Sequence, residues 1–359
     1  MRRPPALILG GGPAGTAAAI ALARHGIAAT ILERTRETGD ALCGGFLSWR
    51  TLAAVERLGI APDALNPNVI TRVRVCVGDR TAEAALPAPA RAVSRARLDT
   101  LMLARATALG IGIERGVAIR ALEGRSVRLG DGASVTGDAL LLATGKHDLR
   151  GAGRTAAPDA DPVLGIRVRL PAAPAIGDAI ELHLFDGGYA GLAVQEDGNA
   201  NFCMAVARSR LQAAGDPAAL LRALARENLL LADRLDRLDP AAPIDAIANV
   251  PYGWRTATTV DDVYRLGDQA AVIPSLAGEG LGIAVASGVS AADAVARGVP
   301  AVDYQRTFAR RAARPLAAAG AIRAAAGRTA GARLLLAATP LPGLARLAAR
   351  LTRITQPDH

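Results

Sequence analysis

Apolar residues in this chain come in short, unbroken runs cut by glycine, alternating with longer alanine- and leucine-rich stretches. The first instance is "LILGGGPAGTAAAIALARHGIAATILER", Leu7 to Arg34. A short apolar run bounded by glycine reads as a buried strand, and a longer one as a helix. The pattern predicts a strand over Ala6–Leu9, a helix after Gly12 and a second strand over Ala28–Leu32. Farther on the period changes to two. "VRVCVGDRTAEAAL" alternates around Gly78-Asp79 and predicts a hairpin. "VLGIRVRL", "AIELHLF", "YAGLAVQ" and "ANFCMAVA" predict four more strands, with turns at Asp186-Gly187 and Asp197-Gly198. "DPAALLRALARENLLLADRL", from Asp216, predicts one amphipathic helix, Val263–Leu266 a strand, and Gly280–Arg297 a helix.

The opening stretch admits two readings. Behind Met1-Arg2-Arg3 it could be the apolar core of an export signal. A signal has no need of Gly10-x-Gly12-x-x-Gly15 followed by Glu33, whereas a dinucleotide fold does. Gly10 permits the tight turn after the strand. Gly12 lets the backbone approach a pyrophosphate, and Gly15 lets the helix sit close to the strand. The helix N-terminus then offers free N–H groups to phosphate, and Glu33 ends the next strand, where it can accept from ribose hydroxyls. The dinucleotide reading is the expected one. A second glycine-rich segment, "YRLGDQAAVIPSLAGEGLGIAVASG" (Tyr264 to Gly288), favours FAD over a nicotinamide cofactor. Asp268 would follow a strand end and accept from a ribitol hydroxyl. The N–H groups of Gly280, Leu281 and Gly282 would open a helix aimed at the electron-rich edge of the flavin.

These segments resemble the FAD-binding motifs of the para-hydroxybenzoate hydroxylase-like flavoproteins, which include aromatic monooxygenases and geranylgeranyl reductases. "ALCGGFLSW" (Ala41 to Trp49) resembles the reductases' CGG segment beside the isoalloxazine. "SRARLDTLMLARA" (Ser94 to Ala106) resembles the helix whose arginine, here Arg97, reaches the FAD pyrophosphate. "DALLLATGKHDLRG" occupies the place of the hydroxylases' Asp-Gly motif, with Thr144-Gly145-Lys146 replacing that pair. "GGYAGLAVQEDGNANFCMAV" resembles a hairpin lining the substrate cavity. Within the family the pattern is similar to flavoproteins encoded beside type III polyketide synthases. Three departures stand out. Ala271 sits where many hydroxylases carry histidine, the Asp-Gly motif is altered, and the tryptophan motif of flavin halogenases is absent.

The resemblance implies an α/β fold: a discontinuous Rossmann-like FAD-binding domain over 1–70, 91–160 and 256–303, an inserted α+β mixed-sheet substrate domain over 71–90 and 161–255, and a helical tail over 304–359. The cofactor-binding residues it implies are Gly10, Gly12, Pro13, Ala14, Gly15, Glu33, Arg34, Cys43, Gly44, Arg97, Gly145, Asp268, Pro274, Gly278, Gly280, Leu281 and Gly282. The expected activity is NAD(P)H-dependent monooxygenation of an aromatic or polyketide-type lipophilic substrate through a flavin hydroperoxide. The alternatives are flavin reduction of a lipid double bond and a membrane-docked flavoprotein passing electrons to quinone.

Composition sharpens this picture in three places. Only ten residues are aromatic. Seven of them, Phe46, Trp49, Phe185, Tyr189, Phe202, Tyr252 and Trp254, fall in the stretches expected around the flavin and substrate, and would suit an aromatic ligand. The bland alternative is that strands favour aromatics anyway. Cys43 and Lys146 are the candidates for a chemical role. Cys43 would more ordinarily be a small buried apolar group, and Lys146, the sole lysine, a loop residue. His25 is expected to suit a helix end and His183 to be structural. Three dispersed cysteines with no zinc spacing imply a reduced compartment and no metal.

The net charge of +9 lies wholly in Tyr304–His359, which holds ten arginines and one acid. Within it "GLARLAARLTRI" puts Leu344, Leu347, Leu351 and Ile354 on one face and Arg346, Arg350 and Arg353 on another. The expectation is a helix packed by its leucines with arginines outward. The alternative is peripheral membrane contact by this tail. No motif supports nucleic-acid binding, and no apolar run of about 20 residues predicts a membrane span, so the expected location is cytoplasmic.

Overall fold

The computed structural model describes residues 5–155, 161–260 and 262–356. The basic start Met1–Arg3, the boundary expected at Ala160 and the acid Asp358 lie outside the described residues.

The chain opens with β1 (Ala6–Leu9), α1 (Pro13–Arg24) and β2 (Ala29–Glu33). A short strand β3 (Phe46–Leu47) and helices α2 (Trp49–Arg57) and α3 (Pro62–Leu65) lead to the hairpin β4 (Ile70–Val77) and β5 (Arg80–Ala92). Helix α4 (Arg95–Ala108) and β6 (Gly112–Arg115) return to the first layer. A meander of β7 (Ile119–Glu123), β8 (Ser126–Leu129) and β9 (Ser134–Thr136) precedes β10 (Ala139–Leu142). A second excursion comprises β11 (Val163–Pro171), β12 (Ala179–Phe185), β13 (Gly188–Val194), β14 (Asn199–Ala207), α5 (Arg208–Ala214), α6 (Pro217–Glu227), α7 (Leu229–Leu235) and β15 (Asp245–Ile247). The chain closes with β16 (Val263–Arg265) and helices α8 (Gly280–Ala296), α9 (Ala301–Ala326), α10 (Thr329–Ala338) and α11 (Leu344–Thr352).

The first sheet has the order β16-β10-β1-β2-β6, and every pairing is parallel. Apart from the exposed edge strand β6, its strands are largely buried on both faces, which is why they read as apolar runs rather than as alternation. Helices α1 and α8 cross tightly on one face: a Cβ on Gly288 would lie 2.3 Å from the Ala14 carbonyl oxygen. The second sheet has eight strands, β15-β11-β14-β13-β12-β4-β5-β3, mostly antiparallel, with β12 parallel to β4. It takes β3 from the first stretch of chain, so that stretch serves both layers.

The helix expected from Asp216 is two helices. Asn228 is extended and its side chain accepts from the Leu231 N–H, so it caps α7. Arg234 of α7 is buried against Glu181 of β12 (Nη2–Oε1 3.0 Å), which Arg74 also meets at 2.6 Å. His183 completes this cluster at 3.3 Å, a structural place. His25 pairs with Asp293 at 2.9 Å and ties the end of α1 to α8. Among the described residues no helix is long and apolar enough to cross a membrane, and no cluster of metal-ligating side chains occurs.

Candidate functional site

The glycine turn comes directly from β1. Gly12 caps α1 without a side-chain bond and Pro13 follows, so the first helical N–H groups have no partner in the helix. A Cβ on Gly15 would stand 2.0 Å from the Gly10 carbonyl oxygen. Gly15 therefore seats the helix on the turn rather than facing the cavity. Glu33, at the end of β2, accepts from the Gly11 N–H (2.8 Å) and from the Thr35 N–H and hydroxyl (2.9 and 2.8 Å). Burial alone would raise this carboxyl, but those donors hold it below its ordinary value and keep it ionised. Beside it Arg34 donates to His147 Nε2 at 2.7 Å. Burial and the neighbouring Arg34 charge lower the His147 pKa, so it stands as a neutral acceptor.

From this turn a single cavity of about 1250 Å³ runs between the two sheets. That exceeds the roughly 300–1,000 Å³ typical of one small ligand, leaving room for a cofactor and a substrate together. Gly10, Gly12, Pro13, Ala14, Glu33, Arg34, Cys43, Gly44, Gly145, Asp268, Gly278, Gly280 and Leu281 all border it. A Cβ built on Gly44, Gly145 or Gly280 meets nothing within 4 Å, so the space beside these backbones is open. An extended dinucleotide fits this donor set: free N–H groups at the start of α1, an ionised carboxylate at the second strand, and a second helix start at the far end.

Four expected cofactor residues stand elsewhere. Gly15 acts beneath the turn, Pro274 precedes the cavity-lining turn Ser275–Ala277, and Gly282 faces Glu279 and Thr51. Arg97 is the fourth. It is exposed and donates to the Ala64 carbonyl at 2.8 Å. Two residues along a helix turn a side chain to the opposite side, so Arg95 faces the cavity in its stead. Arg95 grips Asp99 through two bonds (2.9 and 2.7 Å), and its guanidinium would be 3.3 Å from a Cβ on Gly12. Burial raises the Asp99 carboxyl against the pull of Arg95. The Arg95-x-x-x-Asp99 spacing was the available signal for this pair.

The segment around Cys43 is fixed from three sides. Gly45 has φ +70°, and a Cβ there would be 2.4 Å from the Val93 carbonyl oxygen, so only glycine fits. Asn201 donates to the Cys43 and Gly44 carbonyls (3.0 and 3.1 Å), and Lys146 Nζ donates to the Leu42 carbonyl at 2.9 Å. Lys146 and Cys43 thus share one wall, with Lys146 clamping the segment that carries Cys43. Cys203 lines the same cavity, its thiol pushed up to about 12 by burial.

Of the seven aromatic candidates, Phe46, Trp49, Tyr189 and Tyr252 line the cavity. Phe185, Phe202 and Trp254 do not. Phe202 is fully buried under α6 and α7, because side chains alternate along β14 and its neighbour Cys203 takes the cavity side. Phe185 packs in that same core, next to the cavity residue Leu184. Trp254 donates outward to the Thr155 carbonyl. At the apolar end, among Val73, Val75, Leu182 and Leu335, Ser275 Oγ bridges the hydroxyls of Tyr189 and Tyr252 at 2.7 Å each. Burial raises both tyrosine pKa values, keeping the phenols neutral.

Sequence reasoning missed the part the tail plays. Arg353 is buried, lies 4.5 Å over the Trp49 ring and approaches Glu279 at 3.4 Å. Glu279, fully buried at the start of α8 and hydrogen-bonded by Ser48 and Thr51, is pushed up to about 7 by burial. In α11 the buried residues are Ala349 and Thr352, while Leu344 and Leu347 are exposed. This corrects the expected packing by the leucine face in part: Leu344 and Leu347 stay outside while small residues allow the close approach, but Leu351 is half-buried and Ile354 is fully buried in the core.

Turn, acid and cavity define a dinucleotide-binding flavoprotein. Residues 3–150 match the family model described as the FAD binding domain. No curated protein matches the sequence. Among solved structures, the flavin-dependent brominase Bmp2 superposes with TM-score 0.81 at 15% identity, covering 98% of this chain and 93% of its own. The probable FAD-dependent monooxygenase pqsL from Pseudomonas aeruginosa gives 0.75 at 17%, covering 93% and 99%. The halogenase PltM gives 0.74 at 14%, covering 96% and 85%. At these identities the likeness is one of fold. The chain carries an FAD binding domain over its first 150 residues and shares the fold of these FAD-dependent oxidoreductases along nearly its whole length.

Proposed function

We propose that the protein is a monooxygenase that takes electrons from NAD(P)H and hydroxylates an aromatic or polyketide-type lipophilic substrate. The supporting observation is the far end of the cavity, where an apolar chamber terminates in the Tyr189–Ser275–Tyr252 hydroxyl cluster. Neutral hydroxyls in an apolar wall orient a substrate that is greasy but carries a phenol or carbonyl oxygen. Bound FAD supplies two-electron reduction and oxygen activation. The chain's own residues bind and orient. Glu33 would accept from the ribose and the free N–H groups after Gly12 would meet the pyrophosphate, with Arg95 beside them. The α8 N-terminus would stabilise negative charge on the ring edge, and the apolar walls would exclude water.

One observation favours a second reading. Cys43-Gly44 lies on the cavity wall, as the likeness to double-bond reductases would need. Product analysis under isotopically labelled O2 with candidate phenolic polyketides separates the two. A hydroxylase gives product carrying one labelled oxygen. Product formed only without oxygen, with two added hydrogens, overturns the proposal in favour of the reductase.

A further inference from the structure

Among the described residues six large apolar side chains are exposed, and four of them lie within one short segment: Leu334 (69%), Leu341 (55%), Leu344 (37%) and Leu347 (50%). The segment is ordered by its own hydrogen bonds. The Leu341 N–H donates to the Ala338 carbonyl, the Leu344 N–H to that of Leu341, and the Leu347 N–H to that of Gly343, so α10 runs into α11 through a closed connector. The opposite sides of these helices, through Leu335, Ala338, Ala345 and Ala348, wall the cavity. Leu344 belongs to both surfaces, so the outer leucine patch is continuous with the cavity rim. Arg333, Arg346 and Arg350 are exposed in the same segment, and no carboxylate among the described residues pairs with them.

We propose that the α10–α11 segment docks on an anionic lipid bilayer and opens the cavity toward it. Four leucines flanked by arginines match the composition of a helix lying in the headgroup region, with leucines at the acyl boundary and guanidinium groups on the phosphates. Charge decides the occupant. A second copy would bring arginines against arginines, because the net charge of +9 is concentrated in Tyr304–His359. An anionic surface neutralises them. A lipophilic ligand leaving the bilayer would meet Leu344 first and pass directly to the cavity wall.

The test is co-sedimentation of the full, FAD-loaded chain with phosphatidylcholine vesicles that contain or lack phosphatidylglycerol. The wild type should pellet with the anionic vesicles, and salt should release it. L334E/L347E alters two leucines that do not line the cavity. It should lose vesicle binding about tenfold or more with FAD content and melting temperature unchanged. R333Q/R346Q/R350Q should weaken binding to anionic vesicles about 100-fold. A wild type that stays in solution, or leucine variants that bind as well as it does, would overturn the proposal. So would a wild-type dimer that L334E/L347E splits while vesicles bind neither protein. Vesicle binding is read without turnover, so its failure leaves the oxygenase reading untouched.

Discussion

Replacing Glu279 by glutamine gives the most quantitative test of the site's electrostatics. The carboxyl is fully buried at the start of α8, and burial outweighs Arg353, Ser48 and Thr51 to raise it from 4.5 to about 7. The folded state therefore holds this proton after the unfolded chain has released it. The group's contribution is fully present below about pH 4.5 and is lost as pH rises through about 7. At about 1.4 kcal/mol per pH unit, that window corresponds to about 3 kcal/mol. E279Q carries no titrating proton. Its stability relative to wild type should rise by about that amount between pH 4.5 and 7 and stay level above. Leaving Arg353 unpaired offsets the whole comparison but not its slope, which urea denaturation of both proteins across this pH range would measure. A difference that stays constant from pH 5 to 8 would refute the reasoning, because Glu279 would then be ionised and solvated. The functional stake is the helix start: a neutral carboxyl leaves its positive end uncompensated at the cavity wall, where the proposed reading puts the flavin edge.

Other substitutions probe separate parts of the site. R95Q should weaken FAD binding by about ten- to 100-fold, since it removes a charged donor beside the glycine turn and strands Asp99, whereas R97Q should change it less than about twofold, both read by fluorescence titration. G15A forces a methyl against the Gly10 carbonyl and should cost about 1–3 kcal/mol in apo-protein stability, measured by denaturant unfolding. Y189F and Y252F should leave FAD affinity unchanged and raise the KM for an oxygen-bearing substrate by about three- to tenfold, in steady-state kinetics. Equal effects of R95Q and R97Q, a silent G15A, or tyrosine variants that lose FAD would each contradict the geometry described.

The opening strand, turn, helix and strand of the first sheet could be read from the sequence because their signals are local, whereas the exposed edge strand β6 carries no apolar run and was not. A glycine turn, an apolar run and an acid at the next strand end lie within Leu7–Glu33 and depend on nothing distant. The hairpin turns at Gly78, Gly187 and Gly198 were legible for the same reason: each has a positive φ that glycine supplies. What the sequence hid depends on direction. Arg97 and Arg95 differ by two positions, and only the docking of α4 decides which one faces the turn. Phe202 and Cys203 differ by one, and the pleat decides between them. Arg353 was hidden by the polarity rule itself. A helix with a leucine stripe is expected to bury leucine, yet α11 approaches the body of the protein through Ala349 and Thr352, and the charge that enters is satisfied by Trp49 and Glu279.

The central claim is that the turn at Gly10–Gly12 and the start of α8 border one cavity that holds a single FAD. Calorimetric titration of apo-protein with FAD tests it most directly, run on wild type and on G280W, whose side chain would fill the open space at the helix start. The account predicts one FAD per chain for wild type and a large loss of affinity for G280W, although that site is far along the chain from the glycine turn. Absence of FAD binding in wild type, or full binding in G280W, would contradict it.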